Sequence, residues 1–360
     1  MNIYLDNDVC FVIVVPGGGT RGILSCKWLE LFLNEWNPVK SFTERVNLFA
    51  GTSIGAILAA GFSIGKTPSQ MLPFFTEEGQ WIFTIRTLED VLEQSINAST
   101  PSNRPNGPQK LDLLGNSDPF YASVSPNSNY GNARLKTVLQ SVVGGRTFHD
   151  IETNLYMTAI DTTTTLPLNF SNIVSPSGMP YPNIIGQDML LLDACMSTSA
   201  APVYFPQYTV NGKPYMDGGV DTNNPCAFAL TLLQMLEVDY KKICILTVGT
   251  GRPPDAPLFN GYNEIPFAGL TKTTIDLLGA SLKGTAILTL ENQYNYATNT
   301  INRLNVVQYQ YNPIIPAEYA DLDLSTPAYN SFMEQFAINS FLADITNIRH
   351  FIDHLENRIP

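Results

Sequence analysis

Histidine is scarce in this chain: only His149, His350 and His354 occur in 360 residues. None lies near a cysteine pair, so a zinc cluster lacks ligands, and a hydrolase that depends on a histidine base has few candidates. Positive charge is scarce too. Twenty lysines and arginines face 32 acidic residues, a formal net charge of −12. That balance excludes an electrostatically held nucleic-acid binder and a polybasic anchor on anionic lipid, while leaving apolar membrane contact open. Cys10, Cys26, Cys195, Cys226 and Cys244 are odd in number, scattered and without C-x-x-C spacing. They read as reduced thiols rather than a disulfide scaffold. The longest apolar runs, such as Phe11–Pro16, fall far short of the roughly 20 residues that span a bilayer. The N-terminal stretch MNIYLDNDVC carries acids where a secretory signal carries basic residues. The expectation is a soluble cytoplasmic protein, peripheral at membranes at most, with no metal and no cofactor.

What the chain has in quantity is apolar residues, 44%, with only 14% charged against about 25% in ordinary domains. A sizeable core is expected. Phe11–Val15 (FVIVV) is a continuous β-branched run, the pattern of a strand buried on both faces of a parallel sheet. Gly17–Gly19 follow, and Ile23–Trp36 then reads as a helix. A second strand near Val46–Ala50 runs into Gly51–Gly55, and Ala56–Phe62 continues as a helix of small residues. Leu135–Val143 reads as a further helix, and Leu155–Ile160 and Ile243–Val248 as further strands. This alternation predicts α/β architecture. Residues Ser95 to about Tyr130 and Arg252–Asn263 are Pro- and Asn-rich and read as long loops, the first either as a cover near the site mouth, with membrane contact by residues such as Phe120 and Tyr121, or as a disordered surface insertion remote from the site. From Thr271 on the chain reads as mostly helical, with Ser331–Asn357 the strongest segment. No composition shift marks a boundary, so a single domain over 1–360 is expected.

Three segments carry chemistry. Gly51-Thr52-Ser53-Ile54-Gly55 is a G-x-S-x-G elbow between strand and helix, a turn that lifts a serine hydroxyl above the sheet edge while its glycines let backbone pass closely. An incidental serine in a tight turn is the bland alternative. Gly17-Gly18-Gly19-Thr20-Arg21-Gly22 exposes consecutive backbone N–H groups at a helix start, suited to a phosphate or to the oxyanion of an acyl-transfer intermediate. Neither a dinucleotide fingerprint nor a phosphate loop is satisfied. Asp217-Gly218-Gly219 follows a short turn at Asn211-Gly212, and Asp-Gly-Gly is by itself a turn signal. A triad with His350 would keep the hydrolase chain order Ser…Asp…His, but His350 and His354 read as part of an amphipathic helix, and His149 as a surface connection.

Taken in order, GGGTRG, GTSIG and DGG resemble the patatin-like phospholipase family. STSAAPVYFP before the DGG is similar to that family's A-A-P-x-Y-F stretch, DGGVDTNNP to its D-G-G…N-P continuation, and ILTVGTG to its late strand and glycine turn. The resemblance covers about residues 10–255. It implies a three-layer α/β/α fold with a largely parallel sheet, long loop insertions and, over about 271–360, a helical C-terminal extension. It implies Ser53 as nucleophile and Asp217 as base of a dyad without histidine. The oxyanion hole would come from the amides of Gly18 and Gly19, helped by Gly17, with Gly51 and Gly55 shaping the elbow and Gly22, Gly218 and Gly219 supporting. Arg21 reads as a solvated helix-start arginine ahead of one that holds the loop or meets a lipid phosphate. Pro16 stands where the family commonly has Asp, which removes a side-chain acceptor and stiffens entry to the loop.

The activity so implied is hydrolysis of fatty-acyl esters of phospholipids or lysophospholipids, with transient membrane contact and no nucleic acid. Two other readings share these residues. An acyltransferase would use the same serine but generally places histidine beside it, where this chain has Thr52. A catalytically silent lipid-binding module would have no need of an intact Ser53, Asp217 and both glycine runs.

Overall fold

Strand β1 (Val9–Val15) shows why its sequence holds no polar residue. Val9, Phe11, Ile13 and Val15 enter one hydrophobic core, while Cys10, Val12 and Val14 enter a second on the opposite face. The computed structural model describes residues 9–83, 128, 130–173, 184–186, 188–202, 204–235, 241–254 and 306–359. The expected cover from Ser95, with Phe120 and Tyr121, and most of the Arg252–Asn263 loop lie outside the described residues.

The remaining strands are β2 (Leu48–Gly51), β3 (Asn154–Asp161), β4 (Leu166–Ser171), β5 (Ile184–Ile185), β6 (Tyr208–Val210), β7 (Lys213–Asp217), β8 (Lys242–Val248) and β9 (Val306–Tyr311). They join in the order β5-β4-β3-β2-β1-β8-β9, with β7 on β3 and β6 on β7. Strands β3, β2, β1, β8 and β9 run parallel to their neighbours in this set. Among the described strands, antiparallel pairing enters where β4 and β7 meet β3 and where β6 meets β7. The β6–β7 hairpin turns on Asn211 (φ 50) and Gly212 (φ 79), the two positive-φ positions that a two-residue hairpin with native twist requires.

The main helices are α1 (Gly22–Trp36), α2 (Ile54–Ser63), α3 (Asn132–Val143), α4 (Leu191–Thr198), α5 (Cys226–Met235), α6 (Pro327–Ala343) and α7 (Ile345–Leu355). Helix α5 covers the face of Val12 and Val14 through Cys226, Ala229, Leu230 and Leu233. The other helices pack on the opposite face, which completes three layers of α/β/α. Among the described residues, no helix is long and apolar enough to cross a membrane. All five cysteines are free and buried.

Two expectations need correction in the C-terminal region. Val306–Tyr311 (VVQYQY) is a strand, not helix: it pairs with β8 along six residues, from Ile243↔Val306 to Val248↔Tyr311. Its alternation of inward and outward side chains is the period-2 pattern of a half-exposed sheet edge. The strong segment Ser331–Asn357 is two helices, broken at Asp344 (φ −114, ψ 17). The Asp344 carboxylate accepts from Tyr309 Oη of the edge strand and from Asn347 Nδ2 in the first turn of α7, each at 2.5 Å; the first contact holds the break against the sheet. Among the described residues from 306 on, helix is confined to α6, α7 and a short turn at Ala317–Tyr319; residues 271–305 lie outside the described residues.

Candidate active site

Strand β3 brings the two key residues together by serving two partners along one edge. Its first half pairs with β2 up to Gly51↔Met157. Two residues on, Ala159 pairs with Asp217 of β7, while β4 occupies the other edge throughout. Strands β2 and β7 therefore meet end to end. The chain leaves β2 into the elbow where Asp217 arrives from the opposite direction, and Ser53 and Asp217 become neighbours although 164 positions separate them in sequence.

Ser53 has φ 55 and ψ −128, a conformation rare for a residue with a side chain. Close packing of the backbone enforces it: a Cβ on Gly55 would drive into the Val15 carbonyl, so the start of α2 lies directly on the end of β1. The Ser53 amide donates to Thr198 Oγ1 at 2.9 Å. Thr52, fully buried, is bonded to Thr158 Oγ1 of β3 at 2.7 Å and to the Thr222 carbonyl at 2.9 Å. Ser53 remains partly exposed.

Asp217 is buried, at 4% exposure. Burial pushes its carboxyl up to about 7, and hydrogen bonds with the Ser53 side chain and the Gly219 amide hold it from rising further. The Gly219 bond is 2.7 Å. The arrangement is a partly exposed hydroxyl against a hidden carboxylate whose proton is exchanged near neutrality, the range in which a general base works best.

The glycine loop lies against Ser53. A Cβ on Gly17 would stand 3.1 Å from Ser53 Cβ. The Gly17 amide is not a free donor, because it donates to the Asn223 carbonyl at 3.2 Å; the expectation that it assists an oxyanion is corrected on that ground. For the amides of Gly18 and Gly19, no acceptor is found among the described residues. The loop is anchored from several directions. Gly17 O accepts from Thr250 Oγ1 at 3.0 Å and Asn223 Nδ2 at 3.4 Å. Thr20 N donates to the Leu322 carbonyl at 2.8 Å.

Arg21 also belongs to this anchoring. It is half-buried and its Nε donates to Gly18 O at 3.3 Å, so it is not the solvated arginine expected at a helix start. Burial lowers the guanidinium from its ordinary value, and Tyr329, Tyr204 and Asp321 act in the opposite sense. Gly22 packs against Ile54 and Phe75, and Gly218 against Thr158, which ties each glycine motif to the elbow.

The histidines lie elsewhere. Glu356, two residues after His354, bonds Arg45, which precedes β2, whereas Ser53 follows its far end. His350 and His354 thus sit at the opposite end of the strands from Ser53, and His149 is exposed in the turn Phe148–Asp150. A triad with His350 has no geometric basis. Among the described residues, no group of His, Cys, Asp or Glu is arranged to hold a metal ion. Sequence reasoning missed Thr198, Asn223 and Thr250. Their signal was a hydroxyl or amide beside a motif, in a small-residue stretch for Thr198 and Thr250 and a polar one for Asn223, which names no partner.

Comparison with known proteins bears on the same residues. The curated "cGAMP-activated phospholipase" of Escherichia coli is 26% identical over 254 residues, 66% of this chain and 61% of that protein. Its namesake in Vibrio cholerae is 28% identical over 260 residues, 69% of this chain and 65% of that protein. Patatin group J-1 of Solanum tuberosum is 25% identical over 279 residues, 68% of this chain and 61% of that protein. In each case the match spans less than two thirds of the relative's own length. The family model described as patatin-like phospholipase matches residues 13–230, more than half of the sequence. All three glycine motifs and the strands that bring Ser53 and Asp217 together fall inside that match, and the chain belongs to the patatin-like phospholipase family.

Proposed function

We propose that this chain is a lipid acyl hydrolase that cleaves fatty-acyl esters of phospholipids or lysophospholipids through a Ser53 acyl-enzyme, with Asp217 as general base. The observation that carries the reading is the pair itself: a buried carboxylate poised near neutrality and bonded to a strained, partly exposed serine, beside two glycine amides free to donate. In the first half-reaction Ser53 Oγ attacks the ester carbonyl while its proton passes to Asp217. The oxygen that becomes negative is met by the Gly18 and Gly19 amides, which are fixed before the reaction and so need little reorganisation. Asp217 then returns the proton to the departing lysolipid or glycerol oxygen, leaving the acyl group on Ser53. In the second half Asp217 takes a proton from water as it attacks the acyl-enzyme, and Ser53 is regained as the fatty acid leaves. Substrate held in a lipid aggregate requires transient contact of the site edge with that surface. The similarity of this chain to proteins named as phospholipases supports the substrate class.

The test is labelling by a fluorophosphonate, with hydrolysis of lysophosphatidylcholine micelles measured alongside. Wild-type protein should be labelled on Ser53 and release fatty acid. Ser53→Ala should lose both, with turnover down by on the order of 10³-fold or more and the fold intact by circular dichroism. Turnover retained in a folded Ser53→Ala protein would overturn the reading.

A further inference from the structure

The peptide joining Gly17 to Gly18 is planar and trans, so its carbonyl and its N–H point in opposite directions. Whatever holds the Gly17 carbonyl therefore aims the Gly18 amide. The closest donor is Thr250 Oγ1 at 3.0 Å, with Asn223 Nδ2 longer at 3.4 Å. Thr250 is 3% exposed and sits in the turn after β8, which is itself fixed at both ends. Before Thr250, Ser25 Oγ of α1 donates to the Gly249 carbonyl at 3.0 Å and the Gly249 amide donates to Tyr311 O at 2.6 Å; after it, the Arg252 amide donates to Pro313 O at 2.9 Å. The approach to the glycine loop is tight as well. A Cβ on Gly18 would come 2.5 Å from Thr250 Cβ, so the threonine is packed directly against this peptide.

We propose that Thr250 is a positioning residue for the oxyanion hole, acting through the Gly17–Gly18 peptide. The role rests on the hydrolase reading above and goes beyond it by naming what orients the donor. Thr250 touches neither substrate nor the reacting atoms. Its hydroxyl donates to the carbonyl end of the peptide, which fixes the plane and draws electron density away from the nitrogen, so the Gly18 N–H is both aimed and strengthened. The gain falls on the state that carries negative charge on the substrate oxygen, and substrate binding in the ground state is nearly unaffected.

The experiment compares Thr250→Val, which keeps the shape and removes the hydroxyl, with Thr250→Ser, which keeps the hydroxyl and removes the methyl. Turnover of a soluble p-nitrophenyl ester and the rate of fluorophosphonate labelling are measured on the full chain. Thr250→Val should lower kcat by about tenfold with KM within about twofold, a smaller loss than deletion of an oxyanion donor produces. Labelling should slow by the same factor, because the phosphoryl oxygen occupies the same hole. Thr250→Ser should return both rates to within about threefold of wild type. Thr250→Ala is a second hydroxyl-free variant, without the crowding of valine, and should lose as much. Full kcat in Thr250→Val or Thr250→Ala would overturn the proposal, as would a serine variant as impaired as the valine one, since packing alone would then explain the loss. A wild-type protein that is neither labelled nor active would overturn the hydrolase reading and this role with it; the wild-type control distinguishes that failure from failure of Thr250 alone.

Discussion

The Ser53 end of the central strands and the aromatic layer over the α1 face are built by different physics. At the end that carries Ser53, elements meet through backbone and short hydroxyls: Thr52 on Thr158 and Thr222, Ser53 N on Thr198, Thr250 on Gly17. Glycines allow backbone to approach backbone there, and one residue is held in strained φ/ψ. Over the α1 face of the sheet large side chains take over, reaching as far as Tyr311, which pairs with Val248 beside the glycine turn. Trp28, fully buried, stacks on Phe32, Tyr309 and Tyr311 at centroid distances of 5.6, 5.7 and 5.0 Å and meets Phe341 edge-on. Phe351 packs on Phe11, Phe32 and Tyr309. The first region fixes geometry with directional bonds, which a reaction needs. The other buries apolar area, which supplies most of the stability. Substitutions in the two regions should therefore separate activity from stability.

The sharpest break of that separation is Asp217→Asn, which should act on both quantities in opposite directions. Without a carboxylate the serine proton has no acceptor, and turnover should fall by on the order of 10³-fold or more. In wild type, kcat/KM should rise with pH and level off above about 7, the value to which burial raises Asp217. Stability runs the other way. A carboxyl whose folded value lies above its unfolded value contributes fully only below the unfolded value, and that contribution is lost as pH climbs to the folded one. Wild type should thus lose stability from this group between about pH 4 and 7, and Asp217→Asn should not. Melting curves at pH 4 and 8 check this: the variant should gain on wild type at pH 8. His350→Ala should keep turnover within about twofold, and an acid limb that vanished in that variant would count against Asp217.

The same contrast explains how much was legible in the sequence. Buried parallel strands announce themselves because both faces are apolar, and β1, β2, β3 and β8 were readable to within two residues at each end. The glycine motifs were readable because each is local: the turn, its flanking strand and its helix lie within about ten residues. The bonds that hold those motifs are not local. Thr198 reaches Ser53 across 145 positions, Asn223 reaches Gly17 across 206, and Thr250 reaches Gly17 across 233. A threonine in a small-residue stretch shows no partner until the sheet is assembled. Arg21 was misread for the same reason, since only the folded loop turns Gly18 O towards its Nε. Strand β9 was missed because six alternating residues are too short a signal beside a long helical stretch; pairing with β8 makes them a strand.

The second prediction works in the aromatic layer over the α1 face. Trp28→Ala empties a site enclosed by four aromatic rings and should cost about 3–5 kcal/mol of stability, the usual range for a buried aromatic cut to alanine. Trp28→Phe should cost less, because the Trp28 Nε1 has no hydrogen-bond partner to lose among the described residues. Turnover per fluorophosphonate-labelled molecule should stay near wild type in both variants. A loss of turnover per labelled site comparable to that of Thr250→Val would mean the two regions are coupled, and the division drawn above would fail.

The smallest expected effect comes from Glu356, which ties the C-terminal helix to the far end of the sheet. Its Oε1 accepts from Trp36 Nε1 at 2.6 Å and from Arg45 Nη2 at 2.7 Å. Arg45 also lies over the Trp36 ring at 5.1 Å. Glu356→Gln keeps an oxygen that can accept from one of these donors but removes the negative charge opposite a buried arginine. Because the Glu356 side chain is 24% exposed and that of Arg45 only 7%, the pair is screened on one side and desolvated on the other. The loss should lie near 1–2 kcal/mol, between a surface pair and a fully buried one. Chemical denaturation of wild type and variant at low and high salt measures it. The difference should shrink only partly as salt rises, since ions reach Glu356 more readily than Arg45. Turnover on the soluble ester should not change, because the strand β2 separates this cluster from Ser53. A Glu356→Gln protein with normal stability and reduced turnover would show the C-terminal helix acting on the reaction rather than on the fold.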